Sequence, residues 1–240
     1  MFREANLKQT TCSKGKFLHL ENDLYIPEAL EKYDGWENEV YDECKNYKKP
    51  NSHIIEVGAH IGTHTVPFSK LTNGMVFAFE MQRFMSQILN TNVVLNGCPN
   101  VVVYNEVVSD QDGQAKLADI FFNGEINTGN VKIQKALHEN GFPIRVSSID
   151  KKFEGLTNID LIKVDVEAYE VPVLKGALKT IQNNKPVIVT EYHTVKTEYT
   201  NGNQQEIKAL FPDYEWKELI GDYHLNNKKV LNHNMIGVPK

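Results

Sequence analysis

The fold class this sequence predicts is α/β: a Rossmann-like, mostly parallel twisted sheet with helices on both faces and a C-terminal antiparallel hairpin. Three observations carry it. Short apolar, β-branched runs alternate with stretches of helical pattern, as in a parallel sheet. The run Ile54-Ile55-Glu56-Val57 passes at once into Gly58 and Gly62, which flank three residues. That is how a buried strand turns into a helix around a ligand. From Tyr214 to Val238, apolar and polar residues alternate about Asn226-Asn227, a hairpin signal.

The elements follow in order. Residues 16–26 read as a short hairpin turning at Asn22-Asp23. Pro27 suits the first residue of a helix, and the charge patterning of 28–47 continues it. Strands are expected at 53–57, 75–79 and 101–108, with helices near 64–71 and 83–96. Residues 111–150 form an excursion with a strand at 115–121, a polar loop and a short helix at 131–139. A fourth strand is expected at 160–164, its helix at 170–183 and a fifth strand at 186–191. There is no internal repeat, low-complexity tract or linker. Residues 1–240 therefore read as one domain, with 1–50 as a hairpin-plus-helix extension of its core.

Composition narrows the partners. The net charge is −5 and no basic cluster stands out, which argues against a nucleic-acid substrate. No apolar run approaches roughly 18 residues, so no membrane span is expected. No signal-peptide core follows Met1. Cys12, Cys44 and Cys98 are odd in number and scattered, and they suggest neither a disulfide framework nor a metal-ligand pair. A reducing, cytoplasmic setting fits.

Ligands on such sheets bind beyond the C-terminal strand ends. The run Phe77-Ala78-Phe79 ends on Glu80, roughly 20 residues past the glycine turn, the spacing at which an acid grips the two hydroxyls of a ribose. An adenosine-type cofactor follows. A dinucleotide site usually shows G-x-G-x-x-G; here the spacing is G-x-x-x-G, and Glu56 stands two residues before the first glycine. That acid suits a cationic ligand end, such as the sulfonium and α-amino group of S-adenosylmethionine. Further along, Lys163, Asp165 and Glu167 share one face if the strand runs on. Charges in a strand otherwise buried are costly and mark a site. Glu191 and His193 end the fifth strand with the same relation, so carboxylates and an imidazole converge at the sheet edge.

In order and spacing, several segments together resemble the FkbM family of S-adenosylmethionine-dependent methyltransferases. They are Glu56 to Val66 (E-V-G-A-H-I-G-T-H-T-V), Phe79-Glu80, Val107-Val108-Ser109-Asp110 with Asp112-Gly113, and Asn127-Thr128-Gly129-Asn130. The most specific are Ile159 to Glu170, which carries K-x-D-x-E, and Val173 to Ala177. The family usually has Asp at 56, Asn at 60, Pro at 81 and Gly at 168, where this chain has Glu56, His60, Met81 and Ala168. The resemblance covers about Trp36 to the C-terminus. It implies a class I methyltransferase fold and O-methylation of a sugar, glycan or natural-product hydroxyl.

It also implies roles. Glu80 binds the ribose, and the cofactor rests against Gly58 and Gly62, with His60, Thr63 and His64 following the turn. Thr63 either caps the next helix or holds the methionine carboxylate. Adenine is read among Glu106, Val107 and Ser109. Glu37, after Trp36, either closes the methionine end or is a solvated helix acid. Lys163, Asp165, Glu167, Glu191 and His193 form the catalytic group. His193 is the first candidate for the base, because an imidazole titrates near neutrality, and Asp165 is the alternative. Lys163 pairs with the acids or holds the acceptor. A divalent metal on Asp165, Glu191 and His193 is a further alternative, not favoured because no ligand pair stands at fixed helical spacing. Two other classes compete: an NAD-dependent oxidoreductase and a non-catalytic S-adenosylmethionine-binding module. The glycine spacing argues against the first and the retained site charges against the second. Loops 120–145 and 194–204, expected around the acceptor, carry no motif that identifies it.

Overall fold

The computed structural model describes residues 6–118, 127–193 and 204–240. The chain opens with a hairpin of β1 (Leu7–Cys12) and β2 (Gly15–Leu20). It begins earlier than the sequence suggests and turns at Ser13-Lys14, not at Asn22-Asp23. Asp23 does different work: its Oδ1 accepts the N–H groups of Tyr25 and Ile26, each at 3.1 Å, where α1 (Ile26–Lys32) begins. Pro27 sits in the first turn of that helix. The helix expected over 28–47 is two helices, α1 and α2 (Asn38–Cys44). Asp34 (φ 59°), Gly35 (φ 154°) and Glu37 (φ 47°) break it, since left-handed backbone cannot continue a right-handed helix.

Next come β3 (His53–Val57), α3 (Thr65–Ser69), β4 (Val76–Phe79) and α4 (Arg83–Leu95), all close to the expected spans. The strand expected over 101–108 is split at Asn105 into β5 (Val101–Tyr104) and β6 (Glu106–Val108). The Asn105 side chain donates to the Glu80 and Met81 carbonyls at the tip of β4. β5 stays in the large sheet, while β6 leaves it for a small three-stranded sheet. That sheet also holds β7 (Gly113–Leu117), followed in the chain by α5 (Ile133–Ala136), and β8 (Phe142–Ser147). β8 is not anticipated by the sequence, because Pro143 weakens a strand reading. Parts of the loops at 120–145 and 194–204, and the end of the strand expected at 115–121, lie outside the described residues.

After α6 (Ile149–Lys152) the chain enters β9 (Ile159–Val164). The single helix expected at 170–183 is α7 (Glu170–Lys175) and α8 (Leu178–Asn184), parted at Gly176. A Cβ on Gly176 would overlap the Ser109 carbonyl oxygen. β10 (Val187–Glu191), α9 (Gln204–Leu210) and the hairpin β11 (Tyr214–Leu225) and β12 (Lys228–Pro239) complete the chain. Asn226 and Asn227, both at positive φ, make its two-residue turn.

The large sheet has the order β11-β12-β10-β9-β3-β4-β5. β10, β9, β3, β4 and β5 run parallel, and β12 joins β10 antiparallel. Alternate residues of the central strands feed opposite cores. Ile55, Val57, Ile162 and Val164 pack toward Val173 and Leu174 of α7. Ile54, Leu161 and Val189 pack toward Val40 of α2 and Phe68 of α3. The chain leaves β3 for β4 on one side and returns to β9 on the other. That reversal of strand order opens a crevice at the C-terminal ends of β3 and β9.

Candidate active site

A cavity of about 540 Å³ opens at this reversal, and of the residues given a binding or catalytic role from the sequence all line it except Gly62 and Ser109. Its floor is the glycine turn. Gly58 has φ 85°, and a Cβ there would overlap the Asp165 carbonyl oxygen. Only glycine lets the ends of β3 and β9 close up this tightly; Asp165 N–H donates to Val57 O at 3.0 Å. His60 adopts φ 51°, a conformation that Asn, Asp and His tolerate better than most side chains.

Glu80 sits one residue beyond β4 with its carboxylate pinned by two backbone donors. His60 N–H reaches Oε2 at 2.8 Å and Gln82 N–H reaches Oε1 at 2.7 Å. Burial pushes its pKa up to about 7 against the pull of those two bonds. Glu56 is 1 % exposed and accepts the Thr65 hydroxyl at 2.6 Å. Burial raises it to about 7 although Lys163 opposes the rise. Thr63 lines the cavity; α3 starts after His64, and no side chain caps it, so the capping reading of Thr63 is not realised.

Glu37 is buried, which removes its reading as a solvated helix acid. Its Oε1 accepts from Asn234 Nδ2 at 2.8 Å, while Oε2 has no hydrogen-bond partner and lies 3.9 Å from His64 Nε2. Burial and the nearby Asp165 push Glu37 up to about 8. Burial and Lys163 hold His64 well below the usual imidazole range, so it is neutral. Of the residues expected to read adenine, Glu106 binds Lys152 Nζ through both oxygens, at 2.8 and 2.7 Å, and Ser147 Oγ at 2.7 Å. Val107 lines the cavity beside it. Ser109 is withdrawn, its hydroxyl bonded to Tyr169 and Asp110.

The other wall carries the charges of β9 and β10. Lys163, 1 % exposed, places Nζ 2.8 Å from Asp165 Oδ2. Burial alone would lower the ammonium; Asp165, Glu37 and Glu56 outweigh it and hold the group above its ordinary value. β9 ends at Val164, so Glu167 reaches the cavity not by strand alternation but through left-handed backbone at Glu167 (φ 53°) and Ala168 (φ 75°). Burial, then Glu191 and Asp165, push Glu167 up to about 10. His193 Nε2 lies 3.5 Å from Glu191 Oε2. The O/O/N set that the fold gathers is Glu170, Glu191 and His193, within 4.8 Å of one another. Glu170 takes the place that the sequence reading gave Asp165, which is held by Lys163 instead.

Some participants were not legible beforehand. Asp23 and Thr128 are the clearest. Thr128 donates its hydroxyl and its N–H to Asp23 Oδ2, pairs with His60 Nε2 at 2.7 Å, and offers its carbonyl to Gln82 Nε2 at 2.9 Å. Loop 127–130 is thereby tied to the glycine turn and to the start of α1. Asn234 is another, with no motif around it. Glu170 was visible as the acid three residues after the K-x-D-x-E run but carried no assignment.

The family model described as the methyltransferase FkbM domain matches residues 56–218. Among solved structures, an FkbM methyltransferase from Methylobacillus flagellatus KT is similar at 17% identity and a TM-score of 0.52. The match covers 79% of this chain and 44% of that one, so this chain spans less than half of that protein's length. A precorrin-6y C5,15-methyltransferase from Geobacter metallireducens GS-15 is similar at 12% identity and a TM-score of 0.50, covering 84% of this chain and 87% of that one. At such identities the likeness is one of fold. Comparison with curated proteins gives no match.

Proposed function

The chain belongs to the methyltransferase FkbM domain family, and from that premise we propose that it transfers the methyl group of S-adenosylmethionine to a hydroxyl of a sugar, a glycan or a similar small molecule. The observation that carries this reading is Glu80. Its carboxylate is fixed by the His60 and Gln82 amides at the cavity floor, beside Gly58, where a ribose diol would find two acceptor oxygens.

When bound, S-adenosylmethionine supplies an electrophilic methyl group on a sulfonium. Gly58 and His60 offer backbone for the adenosine end to rest against, and Val107 an apolar wall. Glu37, with its free Oε2, and Glu56 face the cationic methionine end, and Thr63 its carboxylate. Lys163 keeps these acids from repelling one another. The acceptor hydroxyl must lie in line with the methyl group and lose its proton on attack. Positioning supplies much of the rate in such a displacement. The proton leaves toward the side of the cavity that Asp165, Glu191 and His193 line.

Calorimetry tests the cofactor assignment. S-adenosylhomocysteine should bind and NAD should not. Glu80→Ala should weaken binding by about tenfold to a hundredfold, because two charge-assisted hydrogen bonds are lost. An unchanged affinity would remove the ribose assignment. A radiolabelled-methyl screen over sugars tests the acceptor class, and label found on nitrogen or carbon would overturn O-methylation.

A further inference from the structure

At the cavity wall three possible ligand atoms converge, two of which have no hydrogen-bond partner among the described residues. Glu170, Glu191 and His193 each bring one donor atom to a common point, all within 4.8 Å. Glu170 is 1 % exposed, and its carboxylate is aimed by the Val166 and Ala168 amides, which donate to Oε1 at 3.3 and 3.1 Å. Glu191 Oε2 and His193 Nε2 are both buried atoms with no hydrogen-bond partner. They face each other at 3.5 Å, too long for a good N–H···O bond. Ligand atoms around one octahedral divalent ion stand roughly 3–4.5 Å apart; the Glu191–His193 separation of 3.5 Å falls in that range, and Glu170 brings an oxygen within 4.8 Å of both.

Charge gives an independent reason. Asp165, Glu167 and Glu191 line the cavity, and Glu170 is buried beside Glu191. Among the described residues, Lys163 is the one lysine that makes an ion pair with any of them, and it is engaged by Asp165. No lysine or arginine ion pair among the described residues offsets Glu167, Glu170 and Glu191, and buried carboxylates in that position call for a cation. The three ligands come from the first residue of α7, the last residue of β10 and the residue two beyond it, which explains why no sequence spacing announced them.

We propose that Glu170, Glu191 and His193 hold a divalent cation of the Mn²⁺ class, with open positions toward the cavity for the hydroxyls of the acceptor. Two oxygens and an imidazole suit Mn²⁺ better than an all-oxygen cage would. This rests on reading the cavity as a methyltransferase site. Held there, the acceptor hydroxyl is more acidic. Its oxygen forms the new O–CH₃ bond as the S–CH₃ bond breaks. The electron pair of that bond stays on sulfur as a neutral thioether, and the proton passes to Asp165 and then to water.

The test uses the whole chain after treatment with chelator. Mn²⁺ is titrated in and free Mn²⁺ is followed by electron paramagnetic resonance, while calorimetry reports S-adenosylhomocysteine separately. One Mn²⁺ should bind per chain. Glu191→Gln and His193→Ala should each weaken it by at least about tenfold while S-adenosylhomocysteine still binds, which shows that the variants are folded. No bound Mn²⁺ up to about 1 mM, or equal Mn²⁺ affinity in both variants and wild type, overturns the inference. If Mn²⁺ binds as expected and S-adenosylhomocysteine does not bind the wild type, the cation site stands and the cofactor reading fails.

Discussion

Ala168 is buried at φ 75°, next to Glu167 at φ 53°. Two consecutive left-handed residues with side chains store strain, and the turn they make brings Glu167 to the cavity. The glycine usual at this position in the family is the residue that such a φ favours. Ala168→Gly should therefore stabilise the chain by about 0.5–1 kcal/mol, relief of strain exceeding the added freedom of the unfolded chain. Urea denaturation that shows a loss of stability would sink the strain argument. At this scale the sequence was informative where a charged residue of the cavity sits in or directly after a strand. Glu80, Lys163, Asp165 and Glu191 could be located because a buried apolar run has no other reason to contain or end on a charge. It was uninformative where a role depends on a distant partner. Nothing around Asp23 announces Thr128, and nothing around Asn234 announces Glu37.

Loop 127–130 is tied to the rest of the fold through Thr128, which reaches Asp23, His60 and Gln82. Thr128→Val removes the hydroxyl's two bonds and keeps the volume. It should weaken S-adenosylhomocysteine by about threefold to tenfold, the worth of one or two hydrogen bonds, while the thermal midpoint moves little. Calorimetry that finds the affinity unchanged would show that the loop does not support the cofactor. The elements of the parallel sheet were legible because short β-branched runs admit few other readings. Their interruptions were not. The breaks at Asn105 and at Gly176 go with contacts across the fold, the Asn105 side-chain amide on the β4 tip and the Ser109 carbonyl against Gly176. β8 was hidden by Pro143, which the small sheet tolerates near the strand start.

For the molecule as a whole, the acids around the cavity set how stability depends on pH. Glu56 and Glu80 are pushed to about 7, Glu37 to about 8 and Glu167 to about 10, each from an ordinary value of 4.5. Folded values above unfolded ones mean that these groups bind protons more tightly in the native state. Their contribution is complete below pH 4.5 and is lost as pH climbs through about 7 to about 10. The thermal midpoint of the ligand-free protein should therefore fall between about pH 6 and about pH 9, and Glu167→Gln should flatten the upper part of that decline. A midpoint that rises across the window, followed by differential scanning fluorimetry, would contradict the assignment.

Glu56 and Lys163 pair in register across β3 and β9. This central contact joins positions that lie far apart along the chain, with β4, β5 and the whole small sheet between them. Closing so long a loop is slow relative to forming local structure. The glycine turn can form early, but it gains its facing wall only when β9 docks. During refolding, the ability to capture a ligand should thus arrive late, after helices and hairpins have already formed. Cutting the chain between β5 and β9 would leave two pieces, each carrying half of the cavity.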